Sequence, residues 1–316
     1  MITEILLFIV GLALLIGGGE YMVRGAVALS KRLSISPLVI GIVIVGFGTS
    51  VPELMASLFA VVKMNSPGLH FGNIIGSNIA NVLLILGLTA VINPITFPAK
   101  PSKRDITFLI LSVIFLWVAF FGLNEFGWRY GTFLMLAMAV YIFWSFLKRN
   151  AQAEEIPELT GLWANVFFSL FVTVCGIAVM VYGADIMVDN AVKIASDLGV
   201  SNTLIGLTIV AVGTSLPELT ASLISAVHKR SDLAIGNIIG SNIFNAIFIP
   251  GFTAIANSIW NHKAIQISGD KLNMEFYVMA GVTVSFIFFS IRGRIGRVVG
   301  ALFLVAYAAF IFFAAK

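Results

Sequence analysis

The chain has 316 residues, of which 59% are hydrophobic and only 11% are charged, and its mean hydropathy is +1.03. A soluble globular domain carries about a quarter charged residues, so the composition excludes that class. The net charge of +4 comes from basic residues that flank apolar segments, and it therefore bears on membrane topology rather than on nucleic acid. We expect an integral membrane protein in contact with the lipid bilayer, with no nucleic acid and no obligate protein partner.

Ten long apolar stretches follow one another along the chain, separated by glycine, proline and charged clusters. A bilayer crossing needs about 20 apolar residues, and continuous apolar runs favour helices over a β-barrel. The first stretch lacks a basic leader and exceeds signal-peptide length, so we expect it to be retained. The prediction is an all-α protein with ten transmembrane helices. Their limits are near 3–29, 35–62, 70–92, 105–121, 128–147, 160–190, 200–227, 233–256, 274–291 and 295–315.

The distribution of lysine and arginine predicts the orientation in the membrane. When residues at helix ends are assigned to the nearest loop, one side holds thirteen of the 19 basic residues and the other side holds six. The richer side is expected to be cytoplasmic, which places both termini outside the cell.

An internal repeat divides the chain into two halves. The segment 46–58, GFGTSVPELMASL, returns at 211–223 as AVGTSLPELTASL, an offset of 165 residues. The segment 72–81, GNIIGSNIAN, returns at 236–245 as GNIIGSNIFN, an offset of 164. Because each half has five predicted helices, an odd number, the second half must enter the membrane from the opposite face. The predicted organisation is an inverted pair of five-helix repeats at 1–147 and 160–316, joined by a cytoplasmic linker at 148–159.

Each repeat carries a GTS-x-PE motif within an apolar stretch. Proline removes an amide donor and clashes with the preceding turn, so each helix is predicted to break here. Broken backbone is tolerated in hydrocarbon only where it is buried in protein or lines a cavity. Glu53 and Glu218 have no lysine or arginine nearby in the sequence, so each must be protonated, paired across helices or bound to a metal cation. Basic residues lie at helix ends, which favours protons or metal cations.

The GNIIGSN-I-x-N motif adds hydroxyl and amide oxygens. Ser77 and Asn81 are four residues apart, as are Ser241 and Asn245, so each pair shares one helix face. An all-oxygen set suits hard cations such as sodium and calcium, whereas transition metals prefer histidine or cysteine. The three histidines are expected to have surface roles at or near loops, and four further asparagines to form hydrogen bonds rather than ligate. These residues are His70, His228 and His262, and Asn73, Asn78, Asn237 and Asn242.

Residues 46–81 and 211–245 resemble the two α-repeats of the sodium/calcium exchangers in the calcium/cation antiporter superfamily. The resemblance implies an antiporter of calcium and sodium ions that is not an enzyme and needs no cofactor. It also implies a prokaryotic, unregulated core in the inner membrane, because the linker has no room for regulatory domains. By this resemblance the metal ligands are Glu53, Glu218, Thr49, Thr214, Ser50, Ser215, Ser77, Ser241, Asn81 and Asn245, with the backbone carbonyls of Gly46 and Ala211.

The first and sixth stretches look like the sliding gate helices of that family. Their glycines are expected to ease sliding against the remaining bundle. These glycines are Gly17, Gly18, Gly19, Gly25, Gly176 and Gly183. On the same helices, Glu20 and Asp185 are equally compatible with helix pairing and with a role in the ion pathway.

One departure from the family pattern concerns charge. The family commonly has asparagine in the first repeat and aspartate in the second at the positions of Asn81 and Asn245, whereas both are asparagine here. With two carboxylates, one calcium or two sodium ions neutralise the site, which favours electroneutral exchange. Asparagine is also close in shape to a protonated aspartate, which would preserve the three-for-one exchange usual in the family. Exchange of either two or three sodium ions for one calcium ion stays open, and we favour three.

Three other functions remain in view. A cation/proton antiporter would use the same two glutamates to carry protons. A cation channel would conduct ions without a counter-ion. An intramembrane enzyme is the weakest alternative, because no histidine, cysteine or lysine is placed to activate Ser50 or Ser215.

Overall fold

The computed structural model describes residues 1–96, 103–123, 125–147, 161–200, 211–266 and 272–314. A 3-10 turn at Gly161–Ala164 and a short helical turn at Ala211–Gly213 accompany the main elements. The helices are α1 (Ile2–Leu33), α2 (Pro37–Thr49), α3 (Val51–Val62), α4 (Pro67–Ile92), α5 (Lys103–Gly122), α6 (Trp128–Leu147), α7 (Val166–Asp197), α8 (Leu216–Val227), α9 (Ser231–Trp260), α10 (Asn273–Arg292) and α11 (Arg297–Ala314).

Within the described residues, eight helices are long and apolar enough to cross a membrane, and the bent pair α2 and α3 makes a ninth span. This agrees with the predicted helical membrane fold. The span predicted at 200–227 is described only from 211 onwards, because 201–210 lie outside the described residues. The linker 148–159 also lies outside them. The count of ten and the inverted repeat therefore stay predictions.

Two very short antiparallel sheets depart from the purely helical prediction. β1 (Ile95–Thr96) pairs with β4 (Arg294–Ile295), and β2 (Glu125–Phe126) pairs with β3 (Ile265–Gln266). Each sheet joins a loop of the first half to a loop of the second. Two-residue strands have no periodicity to reveal them in a sequence, and they serve here to tie the halves together.

The core is built around α4 and α9. Most of the residues in these two helices are buried within the protein, whereas the other long helices expose most of their apolar side chains. An exposed apolar surface of this kind is what a lipid-facing helix requires. The two most buried helices carry the second motif of each repeat, so that motif lies at the centre of the bundle.

Glycines allow α1 and α7 to pack backbone against backbone. A Cβ atom at Gly18 would lie 2.6 Å from the Met180 nitrogen, and one at Gly176 would lie 2.6 Å from the Met22 nitrogen. Gly183 makes an equivalent approach to Leu15. Small residues permit this closeness between membrane helices. Of the six glycines expected to ease sliding, four lie in the contact between α1 and α7 and Gly19 faces α8, while the sliding itself stays a prediction.

One residue differs from its sequence-based expectation, and a buried ion pair was not foreseen from the sequence. His70 is fully buried within α4 rather than at the surface, and its ring packs on Phe71. Arg104 is also buried, paired at 2.7 Å with Asp105, which accepts a hydrogen bond from the Tyr141 hydroxyl. A hydropathy profile does not reveal an ion pair buried within one helix, because two adjacent charges are interpreted as the end of that helix.

The α1 and α7 contact gives a direct test. We expect Gly18→Leu to lower the thermal stability of the purified protein, because the added side chain would meet the α7 backbone. Overpacking of this kind costs about 1–3 kcal/mol. Gly17→Leu is the matched control, since a Cβ at Gly17 meets no described atom within 4 Å. Thermal unfolding in detergent measures both variants, and equal midpoints would contradict the packing.

Candidate cation-binding site

The two GTS-x-PE motifs break their helices as predicted. The break between α2 and α3 falls at Ser50, with φ −82° and ψ 7°, and the break before α8 falls at Ser215, with φ −90° and ψ 5°. Pro52 and Pro217 lie in the first turn that follows each break. This position suits proline, because the amide that it lacks has no helical partner there.

Glu53 and Glu218 lie in the first turns of α3 and α8, and each is 1% exposed. Each carboxylate accepts a hydrogen bond from a serine of the other motif. Ser50 Oγ donates to Glu218 Oε1 at 3.2 Å, and Ser215 Oγ donates to Glu53 Oε1 at 3.3 Å. The two broken helices therefore meet at their breaks, and the two glutamates face a common region.

Several buried polar atoms of the predicted ligands have no hydrogen-bond partner among the described residues. They are Oε2 of both glutamates and the oxygen and nitrogen atoms of the Asn81 and Asn245 side-chain amides. Asn81 begins a π-helical segment in α4, and Asn245 lies in one in α9. π-Helical turns inside α-helices occur frequently at functional sites. Buried polar groups left in this way are costly unless something else satisfies them.

A second cluster forms around the carbonyl of Gly46. Thr49 Oγ1 and Ser241 Oγ each donate to Gly46 O at 3.4 Å, and these two hydroxyls lie 3.5 Å apart. Glycine is required here, because a Cβ at Gly46 would lie 2.9 Å from the Ser241 nitrogen. The close approach of α2 to α9 thus brings together two predicted ligands from one half and one from the other.

Two asparagines hold the broken helices in place. Asn73 Nδ2 donates to Glu53 O at 2.9 Å and to Ser57 Oγ at 2.8 Å. In the other half, Asn237 Nδ2 donates to the backbone oxygen of the glutamate at 3.1 Å and to Ser222 Oγ at 2.9 Å.

These bonds agree with the hydrogen-bonding role expected of Asn73 and Asn237. The sequence analysis missed their serine partners. The signal for them was the serine four residues after each glutamate, in PELMAS and PELTAS. Of the other two asparagines, Asn242 donates to the Ile238 carbonyl, and Asn78 contacts the Met279 sulfur.

The remaining predicted ligands are less closely joined to the cluster. Thr214 is only half-buried, while its counterpart Thr49 is fully buried. Ser77 is buried but forms no hydrogen bond with another described member of the set. Ala211 begins the short helical turn before the second break. The two halves thus contribute the same residue types in unequal surroundings.

The chemistry of the site is that of a hard-cation site. Within the described part of the chain, no three His, Cys, Asp or Glu side chains gather in one place. Two carboxylates are instead combined with hydroxyl, amide and backbone oxygens, and sodium and calcium prefer such ligands. No described lysine or arginine pairs with Glu53 or Glu218, so their charge is left to cations or protons.

The two longest helices, α1 and α7, differ in how they pack on the rest of the protein. α1 packs along α8, where Glu20 Oε2 lies 2.6 Å from His228 Nε2, and Glu20 also forms an ion pair at 2.8 Å with Arg24 of its own helix. Asp185 on α7 is exposed and lines a cavity of about 610 Å³ between α7 and the α2–α3 break. Glu20 thus forms a polar contact with a neighbouring helix, whereas Asp185 forms no ion pair with another described residue.

The chain is similar over its length to known membrane proteins. The family described as sodium/calcium exchanger protein matches residues 3–147 and 168–316. An uncharacterized membrane protein of Methanocaldococcus jannaschii is 36% identical over 300 residues, covering 95% of this chain and 94% of that protein. A sodium/calcium exchanger of Methanosarcina acetivorans is 30% identical, with 98% of each chain covered. The solved structure of the sodium-calcium exchanger NCX_Mj superposes with a TM-score of 0.80 at 32% identity, covering 98% of both chains.

Proposed function

Because the chain belongs to the sodium/calcium exchanger family, we propose that it exchanges calcium for sodium by alternating access to the site between the two helix breaks. The observation that carries the proposal is the pair of buried glutamates. Each has one oxygen held by a serine of the opposite motif and one oxygen without a described partner. Two negative charges in this setting suit a divalent cation or two monovalent cations.

We propose that the other predicted ligands complete the site around these two carboxylates. The hydroxyls that donate to the Gly46 carbonyl support one subsite, and the buried amides of Asn81 and Asn245 have polar atoms free to ligate a cation. The residues at the second break, for which fewer contacts with the other predicted ligands are described, complete the proposed set. In full it comprises Glu53, Glu218, Thr49, Thr214, Ser50, Ser215, Ser77, Ser241, Asn81 and Asn245, with the carbonyls of Gly46 and Ala211.

The proposed movement is a shift of α1 and α7 together against the rest of the protein. Their glycine contacts are backbone to backbone, which supports their moving as one body. By the basic-residue asymmetry, we place both termini outside the cell and the protein in a prokaryotic inner membrane. We further propose that 1–147 and 160–316 are inverted repeats joined by 148–159, so that the halves exchange roles between the two states.

The carboxylates give the first functional prediction. We expect Glu53→Gln or Glu218→Gln to weaken calcium binding at least about tenfold, because one negative charge then faces a divalent ion. Glu125→Gln, at an exposed position on β2, is the matched control and should bind calcium normally. Calorimetry and calcium uptake into proteoliposomes measure the effect. Near-normal transport by either site variant would remove that glutamate from the site.

The counter-ion is tested by leaving sodium out. We expect calcium flux in proteoliposomes to require sodium on the opposite side, since the ligand set suits sodium as well as calcium. Flux that continues on a proton gradient alone would identify a cation/proton antiporter, because the same buried carboxylates bind protons. Single-channel currents in planar bilayers would instead identify a channel.

The double asparagine gives a prediction on stoichiometry. If the site binds three sodium ions for one calcium, transport carries net charge and its rate responds to an imposed membrane potential. We expect this response, because an asparagine at 245 replaces a neutral aspartate without loss of ligands. Asn245→Asp is then expected to change little near neutral pH. Flux that ignores the potential, together with a strongly proton-sensitive Asn245→Asp, would show electroneutral exchange.

A further inference from the structure

The contact between α1 and α8 ends in a polar contact between Glu20 and His228. Glu20 Oε2 lies 2.6 Å from His228 Nε2, and Glu20 Oε1 accepts a hydrogen bond from Arg24 at 2.8 Å. Beside it, a Cβ at Gly19 would lie 2.6 Å from Ile224 Cδ1 and 3.0 Å from Thr220 Cγ2. α1 therefore covers one face of α8, which is formed by residues four apart. The contact of Glu20 with His228 lies at the end of that face.

The corresponding face of α3 is uncovered. At the repeat offset of 165, Thr220, Ile224 and His228 correspond to Met55, Phe59 and Lys63. Met55 is 57% exposed, Phe59 is 59% exposed, and Lys63 is also exposed. The same three positions line a cavity of about 540 Å³. Unlike α1 against α8, α7 does not pack along α3 over the described residues.

The gate helix α7 carries a matching acid. Glu20 corresponds to Asp185, and Gly19 corresponds to Ala184. Asp185 is exposed, and neither it nor Lys63 forms an ion pair with another described residue. The repeat therefore places an acid on α7 and a base on α3 that do not pair with each other. Their counterparts on α1 and α8, Glu20 and His228, are in contact.

We propose that Glu20–His228 and Asp185–Lys63 are alternating latches, each of which forms as the other opens. In the structure described here, the first latch holds α1 on α8. In the opposite state, α7 covers Met55 and Phe59, and Asp185 pairs with Lys63. This inference rests on the proposed alternating access and identifies four positioning residues outside the cation site.

The two latches differ in charge. Arg24, which shares Glu20 with His228, corresponds to Asp189 on α7. Lys63 would thus meet two acids four residues apart, whereas His228 meets one acid already shared with an arginine. The second latch therefore has the stronger attraction, and removal of either acid shifts the balance between the states.

Matched cysteine pairs report the two states. In a Cys175→Ala background, Gly19→Cys with Ile224→Cys is the first pair, and Ala184→Cys with Phe59→Cys is its repeat counterpart. Oxidative cross-linking of each pair in membranes, without calcium or sodium, measures how often each gate helix covers its partner. Each pair is then combined with a latch variant.

We expect Glu20→Gln to raise cross-linking of the second pair relative to the first about two- to fivefold, the range for one partly exposed ion pair. Asp185→Asn should shift the ratio in the opposite direction. Asp197→Asn, an exposed acid at the end of α7, is the control and should leave the ratio unchanged. The exchanged pair Glu20→His with His228→Glu should restore the original ratio, which a merely structural role would not do.

Two results would overturn the latches. One is an unchanged ratio in both acid variants, and the other is a shift in the same direction in both. Neither result depends on transport, because the cross-links form without ions. Protein that switches as expected but moves no calcium would refute the proposed function and keep the latches. Normal exchange with an unchanged ratio would refute the latches alone.

Discussion

The crossed hydrogen bonds between the two helix breaks are the contact on which the rest of the structure depends. Ser50 holds Glu218 and Ser215 holds Glu53, so each buried carboxylate is positioned by the opposite half of the chain. A carboxylate buried inside a membrane protein without a basic partner is costly. The helix breaks, the asparagines that bond to them and the packing of α4 and α9 all bring oxygen atoms towards these carboxylates. Neither half forms this site alone.

The second constraint is the contrast between two kinds of helix contact. α1 and α7 approach each other backbone to backbone at Gly18, Gly176 and Gly183. The contact of α1 with α8 instead uses the Ile224 and Thr220 side chains and one ion pair. Side-chain contacts repack more readily than closely packed backbones, so on the proposed mechanism the contact of α1 with α8 is the one that changes.

The sequence predicted those parts of the protein that depend on composition and local chemistry. Hydropathy predicted the helices, proline predicted both breaks, and the repeated motifs identified the two serines that bond to Glu53 and Glu218. It could not predict which surface each glycine faces, because one helix offers the same spacing to two neighbours. His70 was misplaced for a similar reason, since burial depends on tertiary packing rather than on nearness to a loop. The bonds from each serine to the opposite glutamate join distant segments that no local pattern connects.

The differences between the halves matter as much as their likeness. A perfectly symmetric repeat would give the outward and inward states equal energy, and bound ions alone would decide between them. Here the site residues are nearly identical in the two halves, while the latch positions differ as Glu20, Arg24 and His228 against Asp185, Asp189 and Lys63. On the proposed mechanism, the shared residues fix which ions bind, and the unlike residues set which side is open at rest. Changes at the latch can therefore retune the cycle without altering ion selectivity.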